Sequence, residues 1–241
     1  MTMKSVKWMV GLALLCCVLV PLGAMGGKEQ PVAGLVDNML QTPMPAADFT
    51  LTDQHGTQFH MADTKGKVVV MCFIYTHCTD ICPFVALKVK DAYQLLGNDA
   101  QNVVFVAVTT DPKRDVPSVT AAYSRTLGLF DSWHFVGGSA DAVQAVWANY
   151  GIGVTVDPDT GAVATKESMG GSMEAEPTQG LSDADLAMAG DIIKNFGGGY
   201  DVGHSAPFWI VDKRGLVHVG MAADTTPADI VTNVRALLKA R

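Results

Sequence analysis

The order of apolar runs along the 241-residue chain predicts an α/β fold built on a mixed sheet flanked by helices. Two observations carry the prediction. The stretches around Val68–Ile74 and Val103–Thr109 are apolar almost throughout and rich in β-branched residues, as strands covered on both faces must be. Each is followed by a stretch of helical character, and the C-terminal part closes with a strand-like pair and a helix. The hydrophobic fraction of 49% supplies a sizeable core, so disorder is not the expectation.

Phe49-Thr50-Leu51 and Gln58-Phe59-His60 read as short strands, with Asp53-Gln54-His55-Gly56 as the turn of an N-terminal hairpin. Gly66 turns the chain into a strand from Lys67 to Tyr75. A helix then runs from Pro83 to Leu96, with Gly97 as its stop. After the strand Val103–Thr109, Asp115 and Pro117 open a helix that ends near Gly128. His134-Phe135-Val136 is a short strand, and Ser139 caps a helix reaching Tyr150. Runs at 153–156 and 162–165 flank the turn Asp157-Pro158-Asp159-Thr160-Gly161. The stretch 157–200 otherwise reads as an insertion, with one helical piece near Asp183 to Phe196. Pro207–Val211 and Leu216–Val219 flank Asp212-Lys213-Arg214-Gly215 as a hairpin, and Thr226, Pro227 and Asp229 open a last helix to Lys239.

At the N-terminus, Lys4 and Lys7 precede an apolar run from Trp8 to about Met25, and no acidic residue comes before Glu29. Residues 1–26 therefore read as a secretory signal peptide or a retained membrane anchor, residues 27–44 as a linker and 45–241 as the folded domain. With the lysines held inside, the remainder faces out. A formal charge of −7 argues against a nucleic-acid partner, which would call for a basic face.

Of the five cysteines, Cys16 and Cys17 are apolar filler in the leader, and Cys72 is a core residue of its strand. Cys78 and Cys82 form the spaced pair, in Tyr75-Thr76-His77-Cys78-Thr79-Asp80-Ile81-Cys82-Pro83. They fall where a strand hands over to a helix. Two thiols so placed can close a disulfide, act as a low-pKa redox pair or clamp a soft metal. Proline favours the first helical position, so Cys82 is expected at the N-cap, where unpaired N–H groups would stabilise a thiolate. A redox-competent pair after the first long strand narrows the fold to a thioredoxin-like architecture. His204 is the best candidate for a third partner.

Phe73 to Pro83 closely resembles the cysteine motif of the Sco/SenC family of copper-binding, thioredoxin-like cytochrome c oxidase assembly proteins. Three further segments resemble the family in order: Phe49 to Phe59, Thr110-Asp111-Pro112-Lys113-Arg114-Asp115, and Asp201-Val202-Gly203-His204-Ser205. The resemblance covers roughly residues 45 to 241. It implies a copper site, for Cu(I) or Cu(II), made by Cys78, Cys82 and His204. Two thiolates suit Cu(I), and an imidazole lets the same site hold Cu(II).

The implied function is a metallochaperone that passes copper to the copper-containing subunit of cytochrome c oxidase. An upstream copper donor or thiol reductant would serve it, at the bacterial inner membrane facing the periplasm, or free in the periplasm if the signal is cleaved. The alternative is a thiol–disulfide oxidoreductase in which Cys78 and Cys82 reduce the oxidase cysteines and His204 is not needed.

The chain departs from the family pattern at Thr79, where proline is more usual, at Gly203, where aspartate often precedes the histidine, and in the long insertion. Met169, Met173 and Met188 there are soft donors, open either to a transient copper contact or to no role. His77 and Asp80 are expected to tune or orient the loop from outside the ligand set. Asp111 and Arg114 are expected to organise the neighbouring loop. His55, His60, His134 and His218 carry no assigned chemistry.

Overall fold

The computed structural model describes residues 32–156 and 177–240. The apolar N-terminal run, Cys16, Cys17, Met169, Met173 and the strand expected at 162–165 lie outside them. In chain order the strands are Met44–Pro45 (β1), Thr50–Thr52 (β2), Gln58–His60 (β3), Val68–Ile74 (β4), Val103–Thr109 (β5), His134–Val136 (β6), Val154–Val156 (β7), Val202–His204 (β8), Phe208–Val211 (β9) and Leu216–Met221 (β10). The α-helices are Cys82–Leu96 (α1), Pro117–Leu127 (α2), Ala140–Asn149 (α3), Asp183–Phe196 (α4) and Pro227–Lys239 (α5).

The main sheet has the order β1-β10-β9-β4-β5-β6. β4 pairs in parallel with β5, and β5 with β6, while β4–β9, β9–β10 and β10–β1 are antiparallel. The predicted mixed sheet and thioredoxin-like architecture are therefore present: β4–α1–β5 is the parallel crossover, and β9–β10–α5 the closing hairpin and helix. β2 and β3 form the expected N-terminal hairpin.

The core follows from the two-residue period of β4. Val68, Val70, Cys72 and Ile74 pack with α1, α2, α4 and α5 residues such as Leu87, Tyr123, Ile192 and Ile230. Val69, Met71 and Phe73 point the other way, to Val143, Val146 and Trp147 of α3 and to Leu51 and Phe59 of the hairpin. Both faces are covered, which is why β4 carries no polar residue.

Helix ends obey the local rules the sequence advertises. Gly97 and Gly128 end α1 and α2 at φ of 55° and 72°, a region that disfavours residues with a Cβ. Ser182 with Asp185, and Thr226 with Asp229, form capping boxes at the starts of α4 and α5. Two helix starts differ from expectation. The N-cap of α1 is Ile81, with Cys82 already the first helical residue and Pro83 the second. The N-cap of α2 is Val116, because Asp115 turns inward to hydrogen-bond the ends of β4 and β5.

From Val36 onward, the stretch expected as a linker lies along the domain. Val36 exchanges hydrogen bonds with the Asn233 side chain, and Asn38 bridges His218 O and Gly220 N. Among the described residues no helix is long and apolar enough to cross a membrane.

Candidate functional site

The β4–α1 connection forms one wall of the site. Its thiols are free and buried, Cys78 4% exposed and Cys82 0%. The opposite wall is β8, a three-residue strand paired antiparallel with β7, so that His204 lies across from Val154. His204 is fixed by this pairing at the end of β8. Its Nε2 lies 3.3 Å from Cys82 Sγ. Its Nδ1 is 3.0 Å from Ser205 O. A carbonyl only accepts, so Nδ1 carries the proton and Nε2 turns its lone pair toward Cys82. Burial pushes the imidazole down to about 4, which keeps it neutral. The edge of Tyr75 packs against the ring, centroids 5.7 Å apart.

The two thiols are not equivalent, and the low-pKa member is Cys78 rather than Cys82. Cys78 is held below the usual thiol range, first by a hydrogen bond from Cys82, then by the backbone N–H groups of Cys82 and Asp80, with the Tyr75 hydroxyl adding to the effect. Cys82 is pushed well up, first by complete burial and then by the charge of Cys78. The helix start does favour a thiolate, but its free N–H groups face the sulfur in the preceding loop. Cys82, inside the first turn, points into the core.

Among the described residues no three His, Cys, Asp or Glu side chains already converge as an ion cage. Cys82 joins the other two candidates: it touches His204 and shares a hydrogen bond with Cys78. Two thiols and a neutral imidazole are the donor types of a soft-metal site.

Beneath the loop lies a polar cluster that the sequence did not single out. Asp115, 4% exposed, accepts from Thr76 Oγ1 and Thr109 Oγ1, both at 2.6 Å, and from Thr76 N at 3.2 Å. Burial raises its carboxyl to about 6. Thr76 Oγ1, giving its own proton to Asp115, accepts from His77 Nδ1 at 2.8 Å. Burial, and then Arg114, lowers His77, so it acts as a neutral hydrogen-bonding group and not as a charge on Cys78. Asp80 contributes its backbone N–H to Cys78 while its side chain is exposed.

The expected loop organisers do more than pair. Arg114 is ion-paired with Asp111 and lies over the Tyr200 ring, 3.7 Å from its centroid. Tyr200 donates to Asp111 Oδ1 at 2.8 Å, and Tyr75 OH accepts from Val202 N at 3.2 Å. Tyr75 and Tyr200 are therefore part of the site; their only sequence signal was proximity to Cys78 and His204. Met188 packs against the core, and Cys72 sits in β4 with burial pushing its thiol up to about 12, so neither joins the site. His60, His134 and His218 make structural hydrogen bonds to Thr50, Asp53 and Asp212, and His55 packs edge-on against Phe130.

A sequence model of the SCO1/SenC family matches residues 38–173, more than half of the chain. The SCO2-like protein of Rickettsia felis is 27% identical over 157 residues, 61% of this chain and 77% of that protein. The chain spans less of other curated relatives, 62% of the Rickettsia conorii protein and 56% of the Rickettsia typhi one. Among solved structures, Bradyrhizobium japonicum ScoI with copper bound aligns at a TM-score of 0.58 and 21% identity, over 80% of this chain and 99% of that one. BsSco, a member of the Sco family of cytochrome c oxidase assembly proteins in which a disulfide switch was identified, aligns at 0.56 and 18%, over 88% and 100%.

Proposed function

The chain belongs to the SCO1/SenC family, and from that footing we propose that it is a copper metallochaperone that serves cytochrome c oxidase assembly. Cys78, Cys82 and His204 bind copper and pass it by ligand exchange to the copper-containing subunit of the oxidase. The observation that carries this reading is the approach of His204 Nε2 to within 3.3 Å of Cys82 Sγ, with its lone pair on that side. ScoI, which shares the fold, binds copper, and BsSco belongs to a family of oxidase assembly proteins.

The chemistry of the residues orders the events. Cys78, the more acidic thiol, captures the ion first. Cys82 follows and gives up its proton, since a thiolate and not a thiol is the ligand. His204 needs no deprotonation. An upstream donor supplies the copper. The lysine-flanked apolar run at the N-terminus supports a position at the bacterial inner membrane facing the periplasm, or in the periplasm if it is cleaved. A tether confines the search for a membrane-bound acceptor and raises its local concentration.

The unequal thiols favour a second reading, a thiol–disulfide oxidoreductase. Cys78 thiolate would attack an acceptor disulfide and release one acceptor thiolate. Cys82 would then attack Cys78 in the mixed disulfide and release the second, leaving Cys78–Cys82 oxidised and the acceptor reduced by two electrons. A thiol reductant would restore the pair. One experiment separates the readings: the copper-loaded full chain is mixed with the reduced apo copper-binding subunit, and the reduced, copper-free chain with the oxidised subunit. Copper transfer in the first, with little thiol exchange in the second, supports delivery. Rapid exchange without transfer would replace delivery by reduction.

A further inference from the structure

Three consecutive glycines, Gly197–Gly199, connect α4 to the strand that carries His204. Such a stretch has unusual backbone freedom and holds no position by itself. Here it is pinned from outside. Arg114 Nη1 donates to Gly198 O at 3.0 Å, and the guanidinium carbon lies over Tyr200, 3.7 Å from its centroid, and 5.5 Å from that of Tyr75. Asp111, paired with Arg114, takes the Tyr200 hydroxyl. Gly198 N reaches His77 O at 3.4 Å, and a Cβ at Gly199 would come within 2.9 Å of Arg114 Nη1. One cation thus grips the glycine strap by carbonyl and ring, between the thiol loop and the histidine strand.

We propose that Arg114, clamped on Gly198 and Tyr200, is the positioning residue that holds His204 against Cys82. The inference rests on the three-ligand copper reading above. With the clamp in place the site offers two thiols and an imidazole. Without it, the strap that leads into β8 is released from the thiol loop, the pairing with β7 and the Tyr75 contacts no longer fix the imidazole at Cys82, and the site behaves as a two-thiol site, sufficient for Cu(I) and poor for Cu(II). Lysine would keep the charge beside Asp111 but lacks the planar fork that spans ring and carbonyl.

The test uses the full chain with Arg114→Ala, Arg114→Lys and Tyr200→Ala, and His204→Ala as reference. Cu(II) is titrated with its visible thiolate band and paramagnetic resonance spectrum recorded, Cu(I) is measured against a competing chelator, and melting temperature is followed. Arg114→Ala and Tyr200→Ala are expected to weaken Cu(II) roughly ten-fold or more and to move its spectrum toward that of His204→Ala, with Cu(I) within about three-fold of wild type. Arg114→Lys should behave as Arg114→Ala. A lowered melting temperature with the Cu(II) affinity and spectrum unchanged would overturn the proposal and leave Arg114 a structural residue. If His204→Ala itself binds Cu(II) like wild type, the three-ligand reading falls and the clamp with it. If His204→Ala fails while Arg114→Ala and Tyr200→Ala do not, only the clamp falls.

Discussion

Replacing Asp115 by asparagine probes the polar floor beneath the thiol loop. The carboxylate is buried and accepts three hydrogen bonds, from both Thr76 donors and from Thr109. Burial still outweighs those bonds and raises the group from its ordinary 3.8 to about 6. A raised folded value means the native state holds the proton more tightly than the unfolded chain. Below about pH 3.8 both states are protonated and the group is neutral to stability; between 3.8 and about 6 the unfolded chain ionises while the folded group keeps its proton, so the cost grows across that window and levels off above it. At about 1.4 kcal/mol per pH unit the full cost is about 3 kcal/mol, of which about 2 kcal/mol develops between pH 4 and 7. Asparagine has no such term, and the acceptor it lacks costs the same at every pH. The stability gap between Asp115→Asn and wild type should therefore move in favour of the variant by about 2 kcal/mol from pH 4 to 7, or about 5 °C in melting temperature for a domain of this size. Thermal melts of both proteins across that range read the change. A gap that stays constant with pH would refute the buried ionisation.

Two further predictions test the walls of the site. Gly197→Ala places a Cβ within 2.5 Å of Ile193 O and 2.8 Å of Thr79 Cγ2, so it should cost about 1–3 kcal/mol in a melting assay and disturb the thiol loop. Timed alkylation of the reduced protein, mapped by peptide mass, should modify Cys78 before Cys82, and Cys72 only on unfolding; equal rates for Cys78 and Cys82 would contradict the inequality of the two thiols.

What the sequence made legible was whatever local pattern decides. β5 and α4 fall where periodicity put them, and β4 differs by one residue at each end, because apolar runs and caps are read from neighbours in the chain. The placement of Cys82 as N-cap failed by one residue, since proline is tolerated at the second helical position as well as the first. The acidic thiol was then assigned to the wrong member of the pair, because burial, which a motif does not display, outweighs the helix start at Cys82. Asp115 looked like a helix opener; its partner Thr76 lies 39 residues earlier. β7 was legible as the run at 153–156, but its pairing with the three-residue β8, which fixes His204, joins segments across a long insertion and leaves no periodic signal. Arg114 meets Gly198 from 84 residues away for the same reason.

Whether Cys78, Cys82 and His204 form one copper site is read from copper titration of the reduced full chain beside His204→Ala and the Cys78→Ser/Cys82→Ser double variant. One tightly bound copper per chain is expected, abolished without the cysteines, with a Cu(II) affinity reduced roughly ten-fold or more without the histidine while dithiol reactivity persists. Tight Cu(II) binding undiminished in His204→Ala, or copper retained after loss of both thiols, would contradict the three-residue site.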